Sequence, residues 1–132
     1  MANTLIKYNI KKILIIDESI FSRICSAILE LEGYKTKSFG STEYLPKKFD
    51  YSTFGLLITN YPLDYTMFKK IKKINLPTII LTDHINREIL HLLNNLPQSF
   101  CMIKPLDYKK FRSLVNEIVM KGASAIEGYS IF

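Results

Sequence analysis

Five polar or charged residues that could take part in chemistry lie at the ends of short apolar segments of this sequence. Asp17 and Glu18 form an adjacent pair after the first segment, and Asn60, Thr82 and Lys104 end or follow three later ones. Two adjacent carboxylates suit a hard cation such as Mg²⁺, which binds through one or two carboxylates and keeps several waters. A lysine beside them can offset their repulsion or bind an anionic group such as phosphate. The amide of Asn60, in contrast, brings neither a charge nor a nucleophile.

The segments around these residues alternate between the periodicities of strands and helices. The predicted strands are 12–17, 34–39, 54–59, 77–82 and 100–104, and the predicted helices cover about 19–32, 41–49, 64–74, 86–95 and 107–121. The helix at 41–49 is expected to be short and weak because Pro46 falls within it. This alternation predicts right-handed βαβ units and a parallel sheet, hence an α/β fold in which the strand ends share one edge.

The same patterns predict a single domain over residues 1–132, with a core at about 11–121 and a C-terminal tail at 122–132 to which no structure is assigned. Ser19 is expected to cap the first helix and Gly33 to end it, while Asp107 is expected to cap the last helix. The apolar residues of the first helix fall at helical spacing and should form its packed face. They are Ile20, Ile24, Ala27, Ile28 and Leu31.

The composition limits the classes of protein that the chain can represent. Its 132 residues are 48% hydrophobic and 23% charged, which is typical of a soluble globular domain. No apolar segment approaches the roughly 18 to 20 residues that span a membrane, and the first ten residues lack a secretory signal, so we expect a cytoplasmic protein. Cys25 and Cys101 fall in apolar patterns, as buried reduced thiols do, and His84 and His91 lack the spacing of a zinc site.

The net charge of +6 includes a group of four lysines between positions 69 and 73. They fall in the predicted helix at 64–74, among apolar residues at helical spacing. Long lysines on the solvated side of an amphipathic helix explain the group, and nucleic-acid binding through this helix is the less favoured interpretation.

The arrangement resembles the receiver domain of two-component response regulators. The resemblance covers about residues 11–121 and is carried by KILIIDES (12–19), EGY (32–34), GLLITN (55–60), PTIILT (77–82) and MIKP (102–105). It implies a flavodoxin-like, doubly wound three-layer sandwich, with a five-stranded parallel sheet in the order 2-1-3-4-5 and about five helices. A flavin site on this fold is rejected, because the carboxylates in the loop DESIFS would repel the flavin phosphate.

The resemblance also implies a role for each strand-end residue. In receiver domains an acidic pair binds Mg²⁺, an Asp ending the third strand accepts a phosphoryl group from a histidine kinase, and a Thr or Ser and a Lys contact that group. By position, Asp17 and Glu18 match the acidic pair, and Thr82, which is also a switch position, matches the hydroxyl. Lys104 matches the lysine, and Asn60 falls on the phosphoacceptor.

Several departures from the receiver pattern predict that phosphorylation at the usual position is lost. Asn60 cannot form the acyl phosphate that a carboxylate forms, and it brings no charge to a metal, so any Mg²⁺ binding should be weak. Pro62 follows Asn60 by only two residues, in a shortened connection. Asp83 would place another anion beside an incoming phosphate, and Cys101 stands where the switching aromatic residue is usual.

The polar groups that remain should stabilise one another. We expect Lys104 to pair with Asp17 or Glu18, because a buried charge without its partner is costly. We also expect Asn60 to donate its NH₂ group to a carboxylate.

These observations predict a receiver-like module that binds or regulates another protein without being phosphorylated, is not an enzyme and requires no cofactor. In receiver domains the face formed by the fourth helix, the fifth strand and the fifth helix contacts partners or a second copy. That face maps here to about 86–119, with Arg87, His91, Lys109, Lys110 and Arg112 as expected contacts. The partner would be a histidine kinase, another signalling protein or a second copy, with no membrane contact. The alternative is a working phosphoryl receiver with another acceptor, such as Asp64, Asp83 or Thr59.

Overall fold

The fold is one parallel sheet with helices on both of its faces. The computed structural model describes residues 12–17, 19–96, 98–121 and 129–132. The strands are β1 (Lys12–Ile16), β2 (Thr36–Phe39), β3 (Phe54–Asn60), β4 (Thr78–Thr82), β5 (Ser99–Ile103) and β6 (Tyr129–Ile131). The α-helices are α1 (Phe21–Leu31), α2 (Tyr65–Ile74), α3 (Arg87–Asn94) and α4 (Tyr108–Lys121). None of the described helices is long and apolar enough to cross a membrane.

The sheet has the strand order β2-β1-β3-β4-β5-β6, and every neighbouring pair is parallel. The predicted order 2-1-3-4-5 is confirmed, and a sixth strand joins the edge beside β5. The chain passes from β1 to β2 in one direction along the sheet and then returns to β3 on the other side of β1. The winding direction reverses at the C-terminal ends of β1 and β3, and in open α/β sheets such a switch point is where ligands bind.

The sheet separates two clusters of buried apolar side chains. One cluster joins the strands to α1 and α4, and it includes Leu29, Phe100 and Phe111. The other joins the strands to α2 and α3, and it includes Ile71 and Cys101. Because successive strand residues point to opposite faces, both sides of the central strands are covered. This is the reason that these strands are continuously apolar in the sequence.

Side-chain caps fix the starts of three helices. Asp64 before α2 and Asn86 before α3 each accept a hydrogen bond from the backbone N–H three residues later, at 2.7 and 2.9 Å. Asp107, the predicted cap of the last helix, accepts from the N–H groups of residues 109 and 110 at 3.0 and 3.2 Å. These caps satisfy backbone donors that have no partner within the helix, so each helix begins at a defined residue.

The start of α1 differs from the prediction, because Ser19 is not its cap. Ile20 occupies the N-cap position, and no side chain accepts a hydrogen bond there. Ser19 instead donates both its N–H and its hydroxyl to the carboxylate of Asp17. The carboxylate of Asp17 is a charged acceptor, and a hydrogen bond to a charged acceptor is stronger than one between neutral groups. The other end of α1 follows the prediction, since Gly33 takes a φ of 95° and ends the helix.

The packed face of α1 also differs from the prediction. Cys25 and Leu29 are buried against the sheet, whereas Ile20, Ile24 and Leu31 are exposed. The apolar residues at helical spacing therefore form two separate stripes, and spacing alone does not say which stripe faces the sheet. The stripe that packs against the sheet is the one that contains Cys25 and Leu29.

One region outside the main helices departs from the prediction, and another had no structure assigned to it. A turn of 3₁₀ helix at Thr42–Tyr44 replaces the predicted weak helix at 41–49. In the tail, residues 129–131 form β6, and Phe132 continues along β5. The N–H of Phe132 donates to the carbonyl of Cys101 at 2.7 Å, and the N–H of Ile103 donates to the carbonyl of Phe132 at 3.2 Å. Residues 122–128 lie outside the described part of the chain.

Candidate functional site

The parallel sheet brings four of the predicted residues to one edge. Asn60 and Thr82 are the last residues of β3 and β4, and Asp17 and Lys104 follow directly on β1 and β5. The pairing of Ile16 with Thr59 places the ends of β1 and β3 side by side, so that Asp17 lies next to Asn60. Glu18, the second member of the predicted acidic pair, lies outside the described residues.

Asn60 and Asp17 form a direct hydrogen bond. The NH₂ group of Asn60 donates to Oδ2 of Asp17 at 2.7 Å, as the sequence predicts. The same carboxylate accepts two hydrogen bonds from Ser19, one from its N–H at 3.1 Å and one from its hydroxyl. Both oxygens of Asp17 are therefore engaged by donors from the end of β3 and from the start of α1.

The carbonyl oxygen Oδ1 of Asn60 is buried and has no hydrogen-bond partner among the described residues. A buried unpaired acceptor costs about 1–3 kcal/mol. Exchanging the two amide atoms would not relieve this, because an oxygen would then face an oxygen of Asp17 at the same 2.7 Å. The carboxylate thus fixes the orientation of the amide, and one unsatisfied acceptor remains at the strand-end edge.

The arrangement of Asp17 and Asn60 presents one carboxylate and one amide NH₂ group at the strand-end edge. Mg²⁺ needs oxygen ligands in near-octahedral geometry, and Asn60 presents its NH₂ group to the carboxylate. In the described part of the chain, no group of three or more His, Cys, Asp or Glu residues could hold a metal ion. Weak Mg²⁺ binding through Asp17 and Glu18 stays a prediction.

The two threonines at this edge use their hydroxyls within the protein. Thr59 is buried and donates to the carbonyl of Ile16 at 2.7 Å, which ties β3 to β1 near their C-terminal ends. Thr82 is buried and donates to the carbonyl of His84 at 2.9 Å, in the loop that follows β4. Each bond satisfies a polar group that would otherwise be costly to bury.

Lys104 does not pair with Asp17. Its N–H donates to the carbonyl of Thr82 at 2.7 Å, which fixes its backbone beside the end of β4. Its Nζ lies over the ring of Phe21, 5.5 Å from the centroid, in a cation–π contact. Of the two partners predicted for Lys104, Asp17 is therefore not in contact with it, and the ring of Phe21 at the start of α1 contacts the cation instead. The other half of that prediction involves Glu18 and falls outside the described residues.

The connection after Asn60 contains a contact that the sequence did not indicate. Only four residues, from Tyr61 to Asp64, join β3 to α2, and the Tyr61–Pro62 peptide is cis. The hydroxyl of Tyr61 donates to Glu88 on α3 at 2.8 Å, and this bond to a carboxylate raises the pKa of Tyr61. The short connection is thus tied to α3, and only the folded chain brings residues 61 and 88 together.

Cys101 stands where receiver domains usually carry an aromatic residue, and it is buried. Its side chain lies in the apolar cluster beneath α2 and α3, while Phe100 points to the opposite face. Burial raises the pKa of the Cys101 thiol to about 11. Burial together with the charge of Asp17 raises the pKa of Cys25 to about 12, against a smaller opposing effect of Lys104. Both thiols are therefore protonated and unreactive at neutral pH, as the sequence predicts.

The predicted contact residues lie on both sides of the β5–β6 edge. Arg87 and His91 are exposed on α3, and Lys109 and Lys110 are exposed on α4, which packs on the opposite face of the sheet. Arg112 is partly covered, because its guanidinium forms a salt bridge of 3.4 Å with Glu32 at the end of α1. Between the helices, β6 rather than β5 is the edge strand.

Comparisons with known proteins support the fold through structure rather than sequence. No protein-family model and no curated protein matches the sequence. A receiver domain protein from Methanospirillum hungatei is 19% identical with a TM-score of 0.67, and the match covers 89% of this chain and 99% of that one. A two-component response regulator from Clostridium difficile is 22% identical with a TM-score of 0.64, over 82% and 94% of the two chains. A chemotaxis protein of Vibrio cholerae is 16% identical with a TM-score of 0.64, over 83% and 99%. The chain therefore has the fold of response regulator receiver domains.

Proposed function

We propose that this chain is a receiver-like signalling module that binds a protein partner and is not phosphorylated at the usual acceptor position. The observation that carries the proposal is the hydrogen bond of 2.7 Å from Asn60 to Asp17. This bond joins a neutral donor to a carboxylate, so the pair is stable without a metal ion or a phosphoryl group. The module is a binding domain and not an enzyme.

The chemistry of Asn60 argues against phosphoryl transfer to this residue. An acyl phosphate forms when a carboxylate oxygen attacks phosphorus, and an amide oxygen is a far weaker nucleophile. The one side-chain oxygen of Asn60 is also buried. An aspartate at this position would instead place a second negative charge beside Asp17, which is the arrangement that favours a cation.

The two residues that match the phosphoryl contacts have other partners in this structure. The hydroxyl of Thr82 donates to the carbonyl of His84, and the ammonium group of Lys104 lies over the Phe21 ring. Asp83, which follows Thr82, is exposed and would repel an incoming phosphate. These contacts support a site that keeps one arrangement instead of switching between two.

The contacts of the alternative acceptors make them less suitable. The hydroxyl of Thr59 is buried and bonded to the carbonyl of Ile16. The carboxylate of Asp64 caps α2 and accepts a hydrogen bond of 2.7 Å there. Asp83 is exposed and is not the cap of α3, and a mass measurement on the intact protein would detect a phosphoryl group on any of the three residues.

The partner surface we favour comprises α3, the β5–β6 edge and α4. Arg87, His91, Lys109 and Lys110 give this surface exposed basic groups, which suit an acidic protein partner. The similar structures are named as response regulators and chemotaxis proteins, and this supports a place in a two-component pathway. We therefore propose a histidine kinase or another cytoplasmic signalling protein as the partner.

The test compares the wild type with Asn60→Asp in titrations with Mg²⁺ and with beryllofluoride, an analogue of a phosphoryl group. We expect the wild type to bind Mg²⁺ weakly at most and not to respond to beryllofluoride, because Asn60 supplies neither a charge nor a carboxylate oxygen. The variant should bind Mg²⁺ more tightly and respond to beryllofluoride only when Mg²⁺ is present. Thermal unfolding and tyrosine fluorescence report both events. Asn94→Asp, the same chemical change on the exposed end of α3, should behave as the wild type.

Each outcome of this comparison has a distinct meaning. Normal binding of both ligands by the wild type would contradict the proposal directly. A silent variant would show that Asp83 and the short β3–α2 connection also close the site. Incubation of the wild type with acetyl phosphate and Mg²⁺, followed by intact mass measurement, tests the remaining alternative. A stoichiometric gain of one phosphoryl group would replace the proposal with that of a working receiver.

A further inference from the structure

Helix α1 carries a continuous apolar stripe that faces away from the sheet. Ile20, Ile24 and Leu31 are 75%, 42% and 89% exposed, and Ala27 between them is exposed as well. Ile20 precedes the helix by one residue but has helical φ and ψ of −60° and −22°. The stripe therefore includes four residues at the spacing i, i+4, i+7 and i+11.

This stripe is distinct from the part of α1 that packs on the sheet. At about 100° of rotation per residue, its four members lie within an arc of about 60°, nearly opposite the buried Cys25 and Leu29. Single exposed apolar residues need no explanation, but a line of them extending for about 16 Å along one helix marks a contact surface. The i, i+4, i+7 and i+11 spacing is also the pattern by which one helix packs along another.

Two residues of opposite charge flank the stripe on one side. Arg23 and Glu30 are exposed and lie seven residues apart, which places them two helical turns apart on the same flank. Glu30 accepts a hydrogen bond from Thr36 at 3.3 Å through Oε1, and no described residue bonds its Oε2. The other flank, with Phe21 and Ile28, is partly buried and uncharged.

We propose that the α1 stripe binds the α1 stripe of a second copy of this chain, with the two helices antiparallel. A two-fold axis between residues 25 and 26 places Ile20 opposite Leu31 of the second copy and Ile24 opposite Ala27 of the second copy. The same axis brings Arg23 close to Glu30 of the second copy, and the symmetric pair forms at the other end. Under two-fold symmetry, the positive charge on the flank of each copy thus lies beside the negative charge on the flank of the other.

The antiparallel arrangement follows from the charges. In a parallel pair, each Arg23 would lie near the level of the other Arg23, and each Glu30 near that of the other Glu30, so no opposite charges would meet. In the antiparallel pair, both ends join opposite charges. The stripe shares no residue with the α3–β5–β6–α4 surface, although α1 and α4 lie on the same face of the sheet.

The size of the stripe sets the expected strength of the dimer. A stable interface buries about 800 Å² on each partner, and a stripe of three turns with small Ala27 at its centre contributes less. The dimer should therefore be weak and dependent on concentration, with its monomer folded. Charge pairs at the rim of such an interface mainly determine which copies can associate.

The test uses two charge-reversal variants, Arg23→Glu and Glu30→Arg, in sedimentation equilibrium over a wide concentration range. The wild type should form dimers as concentration rises. Each variant alone should dimerise at least tenfold more weakly, because both flanking contacts then join like charges. An equimolar mixture of the two variants should recover association, since the mixed dimer has two Glu–Arg contacts. The double variant Arg23→Glu/Glu30→Arg should also recover it.

Ile24→Ser and Tyr65→Ser provide a matched pair of controls, because both remove an exposed apolar side chain from a helix. Ile24→Ser should weaken the dimer, and Tyr65→Ser on α2 should not. All variants should keep the circular dichroism spectrum of the wild type, as the altered residues are exposed. A wild type that stays monomeric at every concentration would overturn the proposal. A dimer that is insensitive to Ile24→Ser, or a mixture that does not recover, would overturn it equally.

Discussion

At the scale of single residues, the site is defined by what Asn60 does with its two amide atoms. Its NH₂ group bonds Asp17, and its oxygen is buried without a described partner. The backbone beneath is held by Thr59, whose hydroxyl reaches across to the carbonyl of Ile16 at 2.7 Å. This bond joins Ile16, which precedes Asp17, to Thr59, which precedes Asn60. It therefore holds Asp17 and Asn60 at a constant distance.

The contribution of that cross-strand bond can be measured with Thr59→Val, which preserves the shape of the buried side chain. The variant should lose about 1 kcal/mol of unfolding free energy, because a buried hydrogen bond is removed without leaving a large cavity. Urea unfolding gives the value. Thr53→Val is the matched control, since its hydroxyl also donates to a backbone carbonyl, at 3.0 Å, but is exposed. An equal loss in both variants would show that the Thr59 bond has no special role.

At the scale of elements, β6 changes the edge of the sheet. In the predicted five-stranded sheet, β5 has an open edge, whereas residues 129–131 pair with it here. β6 has three residues, and Tyr129, Ile131 and Phe132 remain exposed, so little apolar surface holds it in place. It should open more readily than the central strands do.

Removal of residues 129–132 tests that description of β6. The shortened chain should stay folded, because the two apolar clusters do not depend on β6. The amide of Ile103 should exchange with solvent faster, since it loses its bond to the carbonyl of Phe132. The amide of Leu57 in β3 is the internal control, because it donates to Pro77 and should keep its protection. Exchange followed by NMR measures both, and an unchanged Ile103 rate would show that β6 does not protect β5.

At the scale of the whole molecule, the sheet buries one thiol on each of its faces. Burial raises the pKa of Cys25 to about 12 and of Cys101 to about 11, so the folded state binds these protons more tightly than the unfolded chain does. A raised pKa in the folded state adds stability below the unfolded pKa of about 8.5. That stability is lost as the pH rises through the folded values.

The double variant Cys25→Ala/Cys101→Ala isolates this effect of pH. The difference in unfolding free energy between wild type and variant should be constant near neutral pH. From about pH 8.5 upward, the wild type should lose unfolding free energy relative to the variant. This loss should continue until the pH reaches the folded pKa values near 11 and 12. Urea unfolding at several pH values measures the difference. A difference that does not change with pH would mean that the thiols titrate alike in both states.

The sequence by itself determined the α/β class, the positions of the five main strands and the polar residues at their ends. It could do so because strands covered on both faces are short apolar runs, and parallel strands place their C-terminal ends at one edge. The hydrogen bond from Asn60 to a carboxylate was also predictable, because donor and acceptor follow adjacent strands.

The tertiary structure alone decided which of several possible partners each group takes. It placed Lys104 over Phe21 instead of Asp17, Ser19 on Asp17 instead of the start of α1, and residues 129–132 along β5. It also decided that Cys25 and Leu29 face the sheet while Ile20, Ile24 and Leu31 face outward. The physical reason is the same in each case. Periodicity and residue type limit the partners that a side chain can contact, but the free energy of each contact depends on residues that are distant in the chain.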